Sequence, residues 1–247
     1  MKPIQVRFLG SGDAFGSGGR LQTCILVKAT SSTFLVDCGA TALIAMHRLG
    51  VDPNAIDLIL LTHLHGDHFG GIPFFVLDAQ LISKRTRPLV IAGPSGTKKR
   101  IAAALEVFFP GSSQVQQRFP LEIRELAFEQ PSTLGGVMVT PYLVQHPSGD
   151  PPLALRIACE GKILTYTGDT AWTETLIPAS RGADLLIAEA YYFEKNIKFH
   201  LDFRTLMAHL DELEPKRMVL THMSEDMLAR LPTLSCEWAE DGKLIEV

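Results

Sequence analysis

Apolar positions along the chain fall into short runs set apart by glycine- and serine-rich turns, and each run carries one of two periods. Residues 4–9, 23–27 and 33–36 read as strands. Residues 40–49 have helical spacing closed by Gly50 as a C-cap, and 56–61 is a continuous apolar run, as in a strand buried on both faces. That strand delivers His63 at its C-terminal end. Helices are predicted over 72–82 and 96–109, the second with Pro94 and Ser95 near its start, around a strand at 88–92. From 121 to 167 the pattern returns to strands, with Glu160-Gly161 turning the chain between 153–159 and 162–167. A helix near 173–180, a strand at 184–188, a helix at 203–213 and a strand at 217–220 follow. Strands mixed with helices in both halves predict an α/β fold, two sheets sandwiched between helical layers. Leu60-Leu61-Thr62-His63 and Val219-Leu220-Thr221-His222 both end an apolar strand in Thr-His. Two histidines are thereby placed at equivalent strand ends, a rigid setting for ligands.

Composition narrows the function. With 247 residues, 46% of them hydrophobic, the chain can bury a core without outside staples, and one domain over 1–247 is expected. A net charge of -4 supplies no strong field for a polyanion. Lys84, Arg85, Arg87, Lys98, Lys99 and Arg100 form a candidate basic patch, although a charge run on a helix reads first as a solvated face. Cys24, Cys38, Cys159 and Cys236 lie far apart with no Cys-x-x-Cys pair, which excludes a zinc ribbon or a thioredoxin-like site and leaves buried free thiols. Charge interrupts the run from Met1 to Arg7, and no apolar stretch approaches the ~18 residues of a membrane span. A cytoplasmic protein with no membrane partner is expected.

His63, His65, Asp67 and His68 place four potential ligands within six residues. As packing residues each would need its own compensating partner, whereas a metal satisfies them together. His63 and His65 can face one side of an extended segment, while Gly66 lets the chain turn so that Asp67 and His68 address a neighbouring position. The spacing suits two adjacent metals. His-x-His-x-Asp-His after an apolar strand resembles the signature of the metallo-β-lactamase superfamily, which implies a four-layer αββα sandwich. The same resemblance picks out His146 in Val144-Gln145-His146-Pro147, Asp169 in Thr167-Gly168-Asp169-Thr170 and His222 in Leu220-Thr221-His222-Met223. One metal would then take His63, His65 and His146, and the other Asp67, His68 and His222, with Asp169 bridging them. Two zinc ions are the first choice, and manganese or iron also suits a set of nitrogen and oxygen ligands without thiolate.

Within the superfamily the likeness is to ribonuclease Z and its smaller phosphodiesterase relatives. It rests on Phe8-Leu9-Gly10-Ser11-Gly12, on Val36-Asp37-Cys38-Gly39 and on the run from Leu61 to Pro73. Ala188-Glu189-Ala190 looks like the branch's His-Glu-Ala-Thr segment, with Ala188 replacing His and Tyr191 replacing Thr. Phe199-His200-Leu201-Asp202 sits where the branch carries a catalytic histidine. The resemblance thus implies His200 as a catalytic residue oriented by Glu189. The alternatives are a residue ahead of the helix cap Asp202 and an ordinary salt bridge. A dinucleotide fingerprint from Gly10 and Gly12 fails, because Phe15 stands where the third glycine is needed.

One departure bears on substrate. The tRNA-processing members carry a protruding arm between this histidine and the Gly-Asp-Thr turn, whereas His146 and Asp169 are 23 positions apart, room for a hairpin only. The implied activity is hydrolysis of a small or single-stranded phosphodiester by a metal-bridging hydroxide, with Asp67 handling its proton. The substrate would be a small molecule or short nucleic acid, and relatives suggest a homodimer. Alternatives are a ribonuclease Z-type tRNA 3′ endonuclease, a hydrolase of a lactone, thioester or β-lactam, and a metal-binding sensor without turnover.

Overall fold

Alternate side chains of the central strands enter different cores, and this sets the layering. The computed structural model describes residues 3–247; Met1 and Lys2, which open the N-terminal run read above, lie outside it. The first half runs β1 (Gln5–Gly10), β2 (Cys24–Lys28), β3 (Thr33–Val36), α1 (Ala42–Arg48), β4 (Leu58–Leu60), α2 (Gly66–Phe69), α3 (Ile72–Leu81), β5 (Leu89–Gly93), α4 (Thr97–Phe108) and β6 (Leu121–Glu125). The second half runs β7 (Ser132–Leu134), β8 (Val137–Leu143), β9 (Leu153–Cys159), β10 (Lys162–Tyr166), α5 (Leu176–Ser180), β11 (Leu185–Glu189), α6 (Phe203–Ala208), α7 (Leu210–Leu213), β12 (Met218–Thr221), α8 (Glu225–Leu228), β13 (Glu237–Trp238) and β14 (Leu244–Glu246).

Two seven-stranded sheets result, ordered β14-β1-β2-β3-β4-β5-β6 and β13-β12-β11-β10-β9-β8-β7. Each is antiparallel on one side and parallel on the other, the parallel pairs being β3–β4–β5–β6 and β10–β11–β12–β13. Leu58 and Leu60 of β4 join Leu185 and Ile187 of β11 in the core between the sheets. Ile59 points the other way, into a core with Met46, Phe75 and Ile101 of α1, α3 and α4. Leu186, Ala188 and Leu220 pack outward against Leu176, Leu206 and Met227 of α5, α6 and α8. Helix, sheet, sheet, helix is therefore the order of layers, and strands buried on both faces read as continuous apolar runs for this reason.

The details refine several expectations. Gly50 is left-handed after α1, and Glu160 and Gly161 both have positive φ in the turn between β9 and β10, as a two-residue hairpin loop requires. The helix expected over 203–213 breaks at His209 into α6 and α7. Gly66 does not need its conformational freedom: its φ is not positive, and the chain turns there because α2 starts at that residue. The candidate basic patch is divided: Lys84, Lys98 and Lys99 stay exposed, and its arginines are engaged. Arg85 is 1% exposed and donates to the carbonyls of Pro53, Asn54, Ile56, Arg87 and Pro88, while Arg87 pairs with Asp57 and Arg100 with Asp150. Among the described residues no helix is long and apolar enough to cross a membrane.

Candidate metal centre

Most of the polar groups singled out above arrive at or just after the C-terminal ends of strands. His63 and His65 follow β4, Asp67 and His68 lie on α2, His146 follows β8, Asp169 follows β10 and His222 follows β12. The two sheets are tied together beneath them. Leu153 N donates to Thr62 O at 2.9 Å, and Gly168, at φ 60°, runs so close that an added Cβ would lie 2.9 Å from Leu153 O and 3.0 Å from Thr62 Cβ. His222 N donates to Ser11 O at 3.2 Å from the far end. Backbone contacts between sheets thus fix where each ligand begins.

Two clusters form. In the first, His63, His65 and His146 turn ligand atoms toward one another, with His65 Nδ1 3.0 Å from His146 Nε2 and His63 Nε2 buried without a hydrogen-bond partner. The second joins Asp67, His68, Asp169 and His222. Its His68 Nε2 lies 3.3 Å from His222 Nε2, from an oxygen of Asp67 and from Asp169 Oδ1, and His222 Nε2 lies 3.2 Å from Asp67. Asp169 faces both: its Oδ2 is 3.9 Å from His63 Nε2, 3.9 Å from His146 Nε2 and 3.5 Å from His222 Nε2. Nitrogens bound to a tetrahedral zinc stand about 3.3 Å apart. An orphaned buried nitrogen and imidazole lone pairs converging at these separations fit a metal pair as sequence spacing predicts.

Electrostatics agree. Burial depresses His63 and takes His146 down to about 4, so both are neutral lone-pair donors at pH 7. In the second cluster burial is outweighed by carboxylates. Asp169, Asp67 and Asp37 push His68 up, and Asp169 with the Asp67 hydrogen bond pushes His222 up to about 9. Asp67, although burial opposes it, is held below the ordinary carboxylate range by His68 and His222. The carboxylates therefore call for cations, a demand that protons meet and divalent metal can take over.

Partners behind the ligands orient them. His68 Nδ1 meets Asp37 Oδ2 at 2.7 Å, and Asp37 also accepts from Thr62 N and Oγ1, each at 2.8 Å. Thr62 Oγ1 reaches His63 Nδ1 at 3.0 Å, and the carbonyl of Phe199 accepts from His146 Nδ1 at 3.0 Å. These contacts leave the opposite ring nitrogens for metal. Asp37 and Phe199 were not assigned a role from sequence. Their one signal was position, directly after an apolar strand and directly before His200.

His200 and Glu189 are brought together, with Nδ1 to Oε2 at 2.9 Å. Glu189 is fully buried at the end of β11 and also accepts from the backbone of Thr170 and Leu201. Burial alone would lower His200, but the Glu189 bond and charge raise it above its ordinary value. Asp202 caps α6 through Thr205 N at 2.9 Å, as expected. A cavity of about 260 Å³ opens over the centre, with His65, Asp67, His146, Asp169, His200 and His222 in its lining.

The chain is similar to several known proteins. The ribonuclease Z of Mycobacterium bovis is 27% identical over 193 residues, covering 74% of this chain and 69% of that protein. That of Bacillus thuringiensis is 26% identical over 274 residues, covering 88% and 87%. Among solved structures, the metallo-β-lactamase fold protein YhfI of Bacillus subtilis superposes with a TM-score of 0.80 at 22% identity over 100% of both chains. A diphosphatase of the PhnP family gives 0.79 at 20% identity over 99% of this chain and 97% of that one. The human short-form tRNase Z gives 0.78 at 23% identity over 98% of each. The four-layer fold is that of the metallo-β-lactamase superfamily and the branch is ribonuclease Z-like; within it, the family model described as anti-Pycsar protein Apyc1 matches residues 4–239, and the chain belongs to that family.

Proposed function

We propose that this chain is a metal-dependent phosphodiesterase acting on a small phosphodiester. The observation that carries the reading is a third polar group, His200 braced by Glu189, beside two ligand clusters in one small cavity. His63, His65 and His146 would hold one divalent ion, and Asp67, His68 and His222 the other, with Asp169 between them; zinc suits the donors best, and manganese or iron also fits. Bound there, the ions would supply Lewis acidity toward phosphoryl oxygens and lower the pKa of water.

Asp67 remains an ionised acceptor at neutral pH and reaches the cavity lining, where it accepts the proton of the attacking water. Glu189 at Nδ1 raises His200 above its ordinary value and so favours the protonated ring, whose Nε2 donates to a phosphoryl oxygen or to the leaving group. Buried Glu189 fixes the ring's orientation through backbone donors from Thr170 and Leu201. The hairpin of β9 and β10 fills the interval between His146 and Asp169, so no arm rises there to hold a tRNA body. The PhnP-family neighbour is described as a diphosphatase, in keeping with phosphoryl chemistry on this fold. The ribonuclease Z relatives favour one second reading, trimming of pre-tRNA. Cys24, Cys38, Cys159 and Cys236 are all free thiols, which supports a reducing, cytoplasmic setting.

The test is a panel on metal-loaded protein: bis-p-nitrophenyl phosphate, cyclic nucleotides, a lactone and a 3′-extended pre-tRNA. Phosphodiesters are expected to turn over, and His200→Ala to lower kcat by about 10²–10⁴ with both metals retained. Faster lactone hydrolysis, indifferent to His200, would move the protein to carboxyl chemistry. A fully loaded protein that cleaves nothing would be a sensor.

A further inference from the structure

A histidine binds metal through one ring nitrogen, and the partner of the other nitrogen fixes which one. His63, His68 and His146 each have such a partner: Thr62 Oγ1, Asp37 Oδ2 and the carbonyl of Phe199 meet their Nδ1 at 3.0, 2.7 and 3.0 Å. His222 is different. Its Nε2 faces Asp67, His68 and Asp169, while its Nδ1 is buried and has no hydrogen-bond partner. The bond from His222 N to Ser11 O fixes only where the side chain starts, not how the ring is turned. A buried nitrogen left unpaired is costly, so a group close by that can still accept is expected.

Glu189 is that group. Its Oε2 lies 2.9 Å from His200 Nδ1 and 3.7 Å from His222 Nδ1, and a shift of roughly 0.5–1 Å brings the second to hydrogen-bond length. The backbone N–H groups of Thr170 and Leu201 occupy Oε1 instead. A carboxylate oxygen has two lone pairs, and His200 uses one of those on Oε2. One remains. The two rings lie 10° from parallel with centroids 6.0 Å apart, and both turn Nδ1 toward this oxygen. Glu189 and Thr221 are paired in register on β11 and β12, which sets the carboxylate beside the residue that follows Thr221. Glu189 is fully buried, so bulk water does not compete for the free lone pair.

We propose that Glu189 is the positioning residue of His222 as well as of His200, a single carboxylate oxygen accepting from Nδ1 of both. The inference rests on the metal-centre reading. With Nε2 on a metal, the one proton of a neutral His222 ring sits on Nδ1 and donates to Oε2. The Asp67–His68–His222 site and the histidine that serves the phosphate are thereby held by one side chain. The His63–His65–His146 site has partners of its own.

Glu189→Gln tests this by inverting one contact. The amide oxygen still accepts from Thr170 and Leu201, which places the NH2 group where Oε2 was. A donor there favours the His222 tautomer with its lone pair on Nδ1 and its proton on Nε2, the wrong one for metal. Zinc is titrated against a chromogenic chelator, and anomalous scattering from crystals at limiting zinc tells the two sites apart. The Asp67–His68–His222 site is expected to weaken about 10–100-fold and the His63–His65–His146 site to hold its affinity. His200→Ala is expected to bind both ions as tightly as the unaltered protein while turnover falls. Unchanged affinity at both sites in Glu189→Gln would confine Glu189 to His200 and overturn the proposal. Equal weakening of both with a lower Tm would overturn it too, as the mark of a residue of the fold. An unaltered protein that takes up fewer than two ions would overturn the metal centre and this inference together. One that takes up two, shows the selective loss and cleaves no phosphodiester keeps the inference and loses the proposed activity alone.

Discussion

Asp37 is fully buried behind the centre, yet it governs how one ligand is presented. By taking His68 Nδ1 at 2.7 Å it turns Nε2 toward the second cluster. Asp37→Asn should weaken metal binding about 10–100-fold, read by competition with a chromogenic chelator, while an Asn oxygen still accepts from Thr62 N and keeps the turn. Unchanged affinity would reduce Asp37 to a fold residue. Asp169 makes the sharper prediction. Its two oxygens address both clusters, so Asp169→Ala should empty both sites in elemental analysis, and loss of one metal alone would show it to be a terminal ligand. The candidate ligands that the structure brings together were legible in the sequence because four of them crowd into 63–68 and the rest follow apolar strands. Asp37 was not, because its role depends on meeting a histidine 31 positions away.

Elements were read well wherever local periodicity decides them. Strand β4 looked buried on both faces and is, and Glu160-Gly161 turned where a hairpin must. The last two strands were missed. Strands β13 and β14 have two and three residues, and β14 owes its existence to pairing with β1 at the other end of the chain. No local period records such a partner. The break at His209 likewise left no proline or glycine to announce it. Packing of α2 against the turn after β3 gives this scale its test. A Cβ on Gly39 would stand 2.3 Å from Asp67 O, so Gly39→Ala should push the ligand loop outward. A lower Tm and a lower metal content are expected together; a stable variant with full metal would mean the loop yields without moving its ligands.

At the scale of the molecule, charge and shape bear on RNA. Part of the positive charge is spent inside the fold or in pairs: Arg85 caps buried carbonyls, and Arg87 and Arg100 face aspartates, while Lys84, Lys98 and Lys99 stay exposed. A large RNA gains speed from contacts remote from the scissile bond, and here few are on offer. Catalytic efficiency on a chromogenic phosphodiester should equal or exceed that on 3′-extended pre-tRNA, whose binding should be weak and fall steeply between two salt concentrations. Tight binding with accurate 3′ trimming would point to an arm elsewhere, within residues 84–118. The backbone has its own consequence. Asp37, Phe199 and His222 hold φ of 58°, 76° and 55°, a left-handed conformation that L side chains adopt at a cost on the order of 1–3 kcal/mol each. Glycine would relieve that cost at all three. A lineage selected only for heat tolerance would drift toward glycine there and lose its chemistry by degrees, so among descendants of this fold the persistence of three uncomfortable residues is a record of continued use.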